Sequence, residues 1–260
     1  MNKKVLTVFA GLCALAMSAV WTLPASAQMS EAKEKPPMYS YVAYWNLPRA
    51  QWGEMAKEDA SDQKLLDKAV ANGTLVGYGF DENLVHQADG ATHDSWWSAN
   101  SMAGLLNTLD QFYKSGGTNS PVLVSSTKHW DNIFVSRHYN YHSGSWKDLY
   151  TQGSAYKLKA DAPDDAVETL SKNLIVPLLE KMLADGTIHE YEIDTEAEHT
   201  QAPGTFWIFY LAANAEGIDK VNAAIRESMK ANPLGGPAFG SMVDFTEHRD
   251  YLARTSATYK

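Results

Sequence analysis

Two distant segments of the chain carry the same set of polar side chains. One reads TKHWD, beginning at Thr127, and the other reads TEHRD, beginning at Thr246. Histidine titrates near neutral pH and a nearby aspartate can fix its tautomer, so these residue types suit general acid–base catalysis. The spacing also fits a purely structural role, in which each threonine caps the first turn of a short C-terminal helix. The catalytic candidates from the two motifs are His129, Asp131, His248 and Asp250.

A second group of catalytic candidates is predicted to lie on one strand. In TIHEYEID, residues 187–194, alternation places Glu190 and Glu192 on one face, where the related TLVGYGFD, residues 74–81, has glycines. Carboxyl groups inside a barrel have raised pKa values unless they are paired, which suits them to proton transfer, and the glycines would leave room for a ligand. The alternative is a solvated face with glutamate–lysine pairs. The lysines that alternate on a neighbouring strand are Lys157 and Lys159.

Histidines and tryptophans supply further ligand-binding candidates. A metal site would require His86 to approach His129 and His199 to approach His248, but no HxH or HExxH spacing supports one. No metal ligand is therefore assigned, and the cofactor is left open. Tryptophan rings can stack on an aromatic ligand or simply fill a core. The binding candidates are His86, His199, Trp97 and Trp207, together with the two lysines.

A duplicated sequence must position these residues. LLDKAVANGTLVGYGFD, residues 65–81, aligns without a gap with LLEKMLADGTIHEYEID, residues 178–194, and the T-x-H-x-D motif closes each copy. Hydrophobic periodicity gives each copy the order βαββαβ, with fourth strands predicted at 121–126 and 238–245. The predicted segments are a signal peptide at 1–27, one repeat at 28–137, a polar linker at 138–154 and a second repeat at 155–260.

The βαββαβ order is the ferredoxin-like unit, an α+β fold with helices on one face of an antiparallel sheet. Two such units in one chain can bury their open sheet faces against each other. This arrangement resembles the dimeric α+β barrel superfamily, with a tandem fusion in place of the usual homodimer. The superfamily includes cofactor-independent monooxygenases, EthD-like proteins, chlorite dismutases and dye-decolorizing peroxidases. The resemblance implies a ligand site between a sheet and its helices.

The N-terminus predicts export from a bacterial cell. A basic start, an apolar run and the sequence ASA ending at Ala27 are typical of a cleaved signal peptide, so we expect a periplasmic or secreted protein without a membrane anchor. Cleavage would remove Cys13, the single cysteine, which excludes thiolate chemistry. It would also remove two lysines and no acid, changing the net charge from −9 to −11 and making nucleic acid an unfavourable partner. A homo-oligomer is compatible with the sequence.

Three functions fit these features. The first is a cofactor-independent, monooxygenase-like enzyme that acts on a small aromatic or apolar compound. The second is a periplasmic binding or accessory protein without catalysis. The third is a haem- or metal-binding barrel, because the resemblance implies an axial histidine and a distal arginine, and His248 with Arg249 or Arg254 supplies those residue types.

Overall fold

The computed structural model describes residues 35–200 and 203–260. The predicted signal peptide lies outside these ranges, and residues 35–260 form one structural unit. None of the helices in the two described ranges has the length and apolar character needed to cross a membrane.

Eight antiparallel strands form a closed barrel in the order β1-β3-β2-β8-β5-β7-β6-β4. The strands are β1 Met38–Asn46, β2 Gly77–Asn83, β3 His93–Ala99, β4 Lys128–Tyr141, β5 Gly144–Leu158, β6 Ile188–Glu196, β7 Thr205–Ala212 and β8 Val243–Tyr259. The helices are α1 Trp52–Ala71, α2 Met102–Ser115, α3 Pro121–Val124, α4 Ala166–Leu170, α5 Val176–Ala184, α6 Ala215–Ala231 and α7 Gly235–Met242. Short 3₁₀ turns lie at Arg49–Gln51 and Gly117–Asn119, and a π-helical turn at Ser171–Ile175 joins α4 to α5.

The strand order confirms the predicted fold of two ferredoxin-like units packed as a barrel. The first unit contributes four neighbouring strands in the order β4-β1-β3-β2, and the second contributes β8-β5-β7-β6. The units are joined where β2 pairs with β8 and β4 pairs with β6. Closure of the barrel at both joints leaves no free sheet edge.

The fourth strands differ from the sequence prediction. Residues 121–126 contain helix α3, which Ser120 caps with Pro121 at its first position, and residues 238–245 contain most of α7. The T-x-H-x-D motifs, expected to open short helices, instead lie at the start of the fourth strands β4 and β8. A serine–proline cap next to four apolar positions thus forms a helix where the apolar run alone suggested a strand.

The predicted linker at 138–154 is also different in the structure. It lies within β4 and β5, and only His142 and Ser143 separate the two strands. Alternate side chains of β5, including Leu149 and Thr151, are buried, and the strand pairs with β8 along most of its length. The tyrosines and polar residues that suggested a flexible connection therefore form a hairpin, whose second strand buries alternate positions from Leu149 to Gly153.

Each unit has a core between its sheet and its helices. The predicted apolar face of β2 packs against the helices through Tyr78 and Phe80, and Tyr191 does the same on β6. Gly73 and Gly186 end α1 and α5 with φ values of 79° and 75°, as the sequence predicted. These faces leave the opposite side chains of β2 and β6 inside the barrel.

The second helix of each unit sits close to its sheet because of one glycine. Ser101 caps α2 by accepting a hydrogen bond from the Gly104 amide at 3.1 Å, and a Cβ at Gly104 would lie 2.8 Å from the Thr74 carbonyl oxygen. Asn214 and Gly217 repeat this arrangement in α6. The glycines are therefore required by contact with the backbone.

We expect Gly104→Ala to lower the free energy of unfolding by about 1–3 kcal/mol, because the added methyl group must displace a helix from the sheet. Gly53→Ala is the matched control, since a Cβ there meets nothing within 4 Å. Urea denaturation of both variants measures the difference. An unchanged midpoint for Gly104→Ala would contradict the proposed close approach.

Candidate functional site

The barrel encloses a cavity of about 230 Å³ whose walls combine aromatic rings with carboxyl groups. The exposed residues Arg249 and Asp250 mark its opening. The aromatic lining residues are Tyr44, Trp96, Phe134, Trp207, Phe209, Tyr251 and Tyr259. The buried carboxyl groups are Asp81, Asp94, Glu190, Glu192 and Asp194, each no more than 7% exposed.

Glycines make room for the aromatic rings of this cavity. The Cβ that a larger residue would have at Gly77 collides with the ring of Tyr259, and at Gly79 it collides with the ring of Trp96. The predicted space opposite the glutamates is therefore filled by side chains from neighbouring strands. This corrects the expectation that these glycines leave room for a ligand.

Asp81 and Asp94 form a pair on the adjacent strands β2 and β3. The Tyr251 hydroxyl donates to Asp94 Oδ2 at 2.6 Å and lies 3.1 Å from Asp81 Oδ2. Thr151 Oγ1 lies 3.4 Å from Asp81 Oδ1. A phenol has one proton, so both contacts of Tyr251 are satisfied when one aspartate is protonated and donates.

Glu190, Glu192 and Asp194 line the opposite part of the barrel on β6. Glu192 Oε2 accepts hydrogen bonds from Ser40 at 3.2 Å and Ser136 at 3.1 Å, and Ser136 also contacts Asp194 Oδ1. Glu190 is 3% exposed, and its Oε1 has no hydrogen-bond partner among the described residues. The structure thus places the two predicted glutamates inside the barrel, and it leaves one carboxyl oxygen of Glu190 available.

Within the described parts of the chain, no lysine or arginine side chain is buried beside the five carboxyl groups of the interior. Among the described residues that line the cavity, Arg249 alone is basic, and its guanidinium donates to the carbonyl oxygens of Thr246 and His248. Lys157 Nζ instead contacts the Pro203 carbonyl oxygen. Lys159 Nζ donates to the Gly240 carbonyl oxygen at 2.5 Å. The prediction that these lysines pair with the glutamates is therefore wrong.

Burial controls the protonation of this interior. Loss of hydration raises the pKa of all five carboxyl groups, and the neighbouring carboxylates raise the pKa of Asp94, Glu190 and Asp194 further. Hydroxyl donors oppose this effect at Asp81, whose pKa is raised to about 6. Burial therefore favours the protonated form of these carboxyl groups, which suits them to proton exchange with a bound compound.

The two T-x-H-x-D motifs make the same contacts in both units. His129 Nδ1 lies 2.8 Å from the Tyr44 carbonyl oxygen, its ring stacks on Trp45 at 3.7 Å between centroids, and its Nε2 lies 3.4 Å from Asp131. In the second unit His248 lies 3.2 Å from the Ala155 carbonyl oxygen, stacks on Tyr156 and approaches Asp250 to 3.2 Å. Each motif joins the fourth strand of its unit to the first.

The other predicted ligand-binding residues are dispersed. His86 lies in the loop after β2 beside Trp52, with 4.9 Å between ring centroids. His199 lies in the corresponding loop of the second unit and lines a separate cavity of about 370 Å³ between α4 and strands β4 and β6. Trp97 stacks on Tyr41 in the helix-facing core, whereas Trp207 lines the barrel cavity. In the described parts of the chain, no three His, Cys, Asp or Glu side chains are placed to hold one metal ion.

The partners of the buried carboxyl groups were not predicted from the sequence. Asp94 and Trp96 alternate with Trp97 on β3, so the same period-two pattern that selected the glutamates also identifies them as interior residues. Tyr251 and Ser136 were missed for a different reason. Their strands were predicted in the wrong place, so the face on which they lie was not assigned.

The fold and its interior define a closed α+β barrel built from two ferredoxin-like units. No protein-family model matches the chain, and no curated protein matches it. Among solved structures, the chain is similar to a proposed monooxygenase from Lactobacillus acidophilus NCFM, with TM-score 0.59, 10% identity and coverage of 86% of this chain and 97% of the other. A proposed monooxygenase from Fusobacterium nucleatum subsp. nucleatum ATCC 25586 gives TM-score 0.62, 9% identity and coverage of 86% and 94%. An anthrone oxidase-like protein gives TM-score 0.53, 10% identity and coverage of 85% and 92%. These similarities establish the fold.

The carboxyl groups of the interior should give an unusual dependence of stability on pH. Folding raises the pKa of Asp81 to about 6. Protonated Asp81 therefore contributes to the free energy of unfolding in full below the pKa of the unfolded chain, and this contribution is lost as pH rises through the pKa of the folded protein. The wild type loses this contribution as pH rises, whereas Asp81→Asn has none to lose. Between pH 4 and pH 7 the free energy of unfolding of Asp81→Asn should therefore rise by about 2–3 kcal/mol relative to that of the wild type. Exposed Glu198→Gln is the control. Parallel profiles for wild type and Asp81→Asn would contradict this assignment.

His129, in the T-x-H-x-D motif of the first unit, should also make the protein more stable at low pH than at high pH. Burial disfavours the charged imidazole of His129, but Asp131 and the Tyr44 carbonyl outweigh it and raise the pKa. This stabilisation is present at low pH and is lost as pH rises through the folded pKa. Asp131→Asn should therefore destabilise the protein by about 0.2–1 kcal/mol more at pH 5.5 than at pH 9. Asp219→Asn, at an exposed helical position, should show no such difference in chemical denaturation.

Proposed function

We propose that the barrel interior binds a small aromatic or apolar compound and that its carboxyl groups exchange protons with that compound. The observation that carries the proposal is one cavity lined by seven aromatic side chains and five buried carboxyl groups. Apolar pockets with a few convergent polar groups are typical of small-molecule sites, and strongly perturbed carboxyl groups are typical of functional ones.

The aspartate pair is the best placed group for proton transfer. Two carboxyl groups that share the Tyr251 hydroxyl can hold one proton between them, so that one acts as a base and the other as an acid. In a monooxygenase-like reaction, a carboxylate removes a proton from the bound compound, and the resulting carbanion gives its electrons to O₂, the co-substrate. One oxygen atom enters the product as a carbonyl and the other leaves as water. The proposed monooxygenases of the same fold support this reaction class.

The T-x-H-x-D histidines have a structural role in this proposal. They lie outside the cavity lining and hold the backbones of the first and fourth strands together. His248 stacks on Tyr156, which occupies one face of its ring. These contacts favour a cofactor-independent site in the interior over a haem held by His248.

Binding inside the barrel can be tested with indole, phenol, benzylamine and benzoate by isothermal titration calorimetry. We expect at least one of them to bind, and Ala155→Phe to weaken its binding at least tenfold, because the added ring occupies the cavity wall. Ala60→Phe, the same change at an exposed position of α1, should leave binding unchanged. Failure of all four to bind, or equal binding by both variants, would overturn the proposal.

Oxygen uptake separates the two functions that share this site. An electrode measurement with each bound compound should show uptake that Asp94→Asn lowers at least tenfold if the protein is an oxygenase. Binding without oxygen uptake would instead support the non-catalytic binding protein.

A further inference from the structure

We propose that the ligand of the barrel interior is an organic ammonium compound, a protonated amine carried on an aromatic or aliphatic group. This inference rests on the proposed function, because it assigns a charge to the compound bound at the same site. It goes beyond it by predicting which chemical group the five carboxyl groups recognise.

The first argument is the charge of the cavity. Five buried acidic side chains and the exposed Asp250 line it, and the only basic lining residue among those described, Arg249, is exposed and donates to carbonyl oxygens. Proton exchange alone requires one or two carboxyl groups, so the remaining acids are unexplained by acid–base chemistry. A cation in the cavity would compensate several buried carboxylates at once.

The second argument is the free oxygen of Glu190. Glu190 is buried and its Oε1 lacks a partner among the described residues, although an unsatisfied buried acceptor is costly. The groups around it are Glu192 and Asp194 on its own strand, Tyr259 from β8 and Asp81 from β2. None of these is a cation, so an ammonium N–H donor from a ligand is the group that the position lacks.

The third argument is the nature of the remaining wall. Trp96, Trp207 and Phe134 present rings to the same cavity, and aromatic faces attract organic cations. A metal ion would require several carboxylates to converge, and no three acidic or histidine side chains in the described ranges do so. Carboxylates separated around an aromatic cavity fit a larger cation with several N–H or C–H contacts.

A comparison of benzylamine with benzyl alcohol tests the charge directly. The two probes have nearly the same shape, and benzylamine remains cationic from pH 6 to pH 8. Binding of a cation favours ionised carboxylates, so benzylamine should release protons and bind at least tenfold more tightly at pH 8 than at pH 6. Benzyl alcohol should change less than twofold. Calorimetry in two buffers of different ionisation enthalpy counts the released protons.

Two variants identify the recognition group. Glu190→Gln should weaken benzylamine binding at least tenfold and benzyl alcohol binding by a much smaller factor, while Glu198→Gln, the same change on an exposed loop, should affect neither. Asp94→Asn provides a second interior variant if Glu190→Gln does not fold. Circular dichroism checks the fold of each.

The outcomes are distinct. Equal affinity for the two probes, or benzylamine binding without proton release, would overturn the ammonium assignment while the small-molecule site remains. Displacement of benzylamine by calcium chloride at equal concentration would also overturn it, in favour of an inorganic cation. If neither benzylamine nor benzyl alcohol binds at any pH, the ammonium inference is overturned. The proposed small-molecule site is overturned as well only if indole, phenol and benzoate also fail to bind.

Discussion

The structure depends on the burial of five carboxyl groups inside a closed barrel. A carboxylate moved out of water without a partner is so unfavourable that the group takes up a proton instead. The barrel allows this because Tyr251, Ser40 and Ser136 supply hydroxyls that can donate to a carboxylate or accept from a protonated acid. The side chains beside these groups are aromatic rings, which offer a water molecule few hydrogen-bond partners. The raised pKa values of the carboxyl groups therefore depend on side chains from several strands of the barrel.

Equivalent positions of the two repeats have different roles in the barrel. Gly77 and Gly79 accept rings from neighbouring strands, whereas Glu190 and Glu192, at the same positions of the second unit, project carboxyl groups into the cavity. The histidine motifs did not diverge in this way, because each must join two backbones and stack on a ring. The two units thus share the contacts of the histidine motifs outside the cavity and the aspartates Asp81 and Asp194 inside it, and they differ at the glycine and glutamate positions.

The fold was predictable from the sequence because its signals repeat and are local. A gapless duplication, helix-ending glycines and a period of two gave the two units, the second strands and the buried glutamates. The fourth strands were not predictable in the same way. Their hydrogen bonds go to strands far away in the chain, and β4 begins with the polar residues Lys128 and His129. Without those strands, the face occupied by Tyr251 and Ser136 could not be assigned, so the partners of the acids were missed.

The joints between β2 and β8 and between β4 and β6 make each unit complete the sheet of the other. In a barrel assembled from two identical chains, every interior substitution appears twice, on both sides of the symmetry axis. In a fused chain, each position of the interior can change independently. A glutamate gained in one unit need not be accompanied by a second glutamate in the other, so the two sides of the cavity can become different. Gene fusion would in this way turn a symmetric container into one with a distinct orientation for whatever it holds.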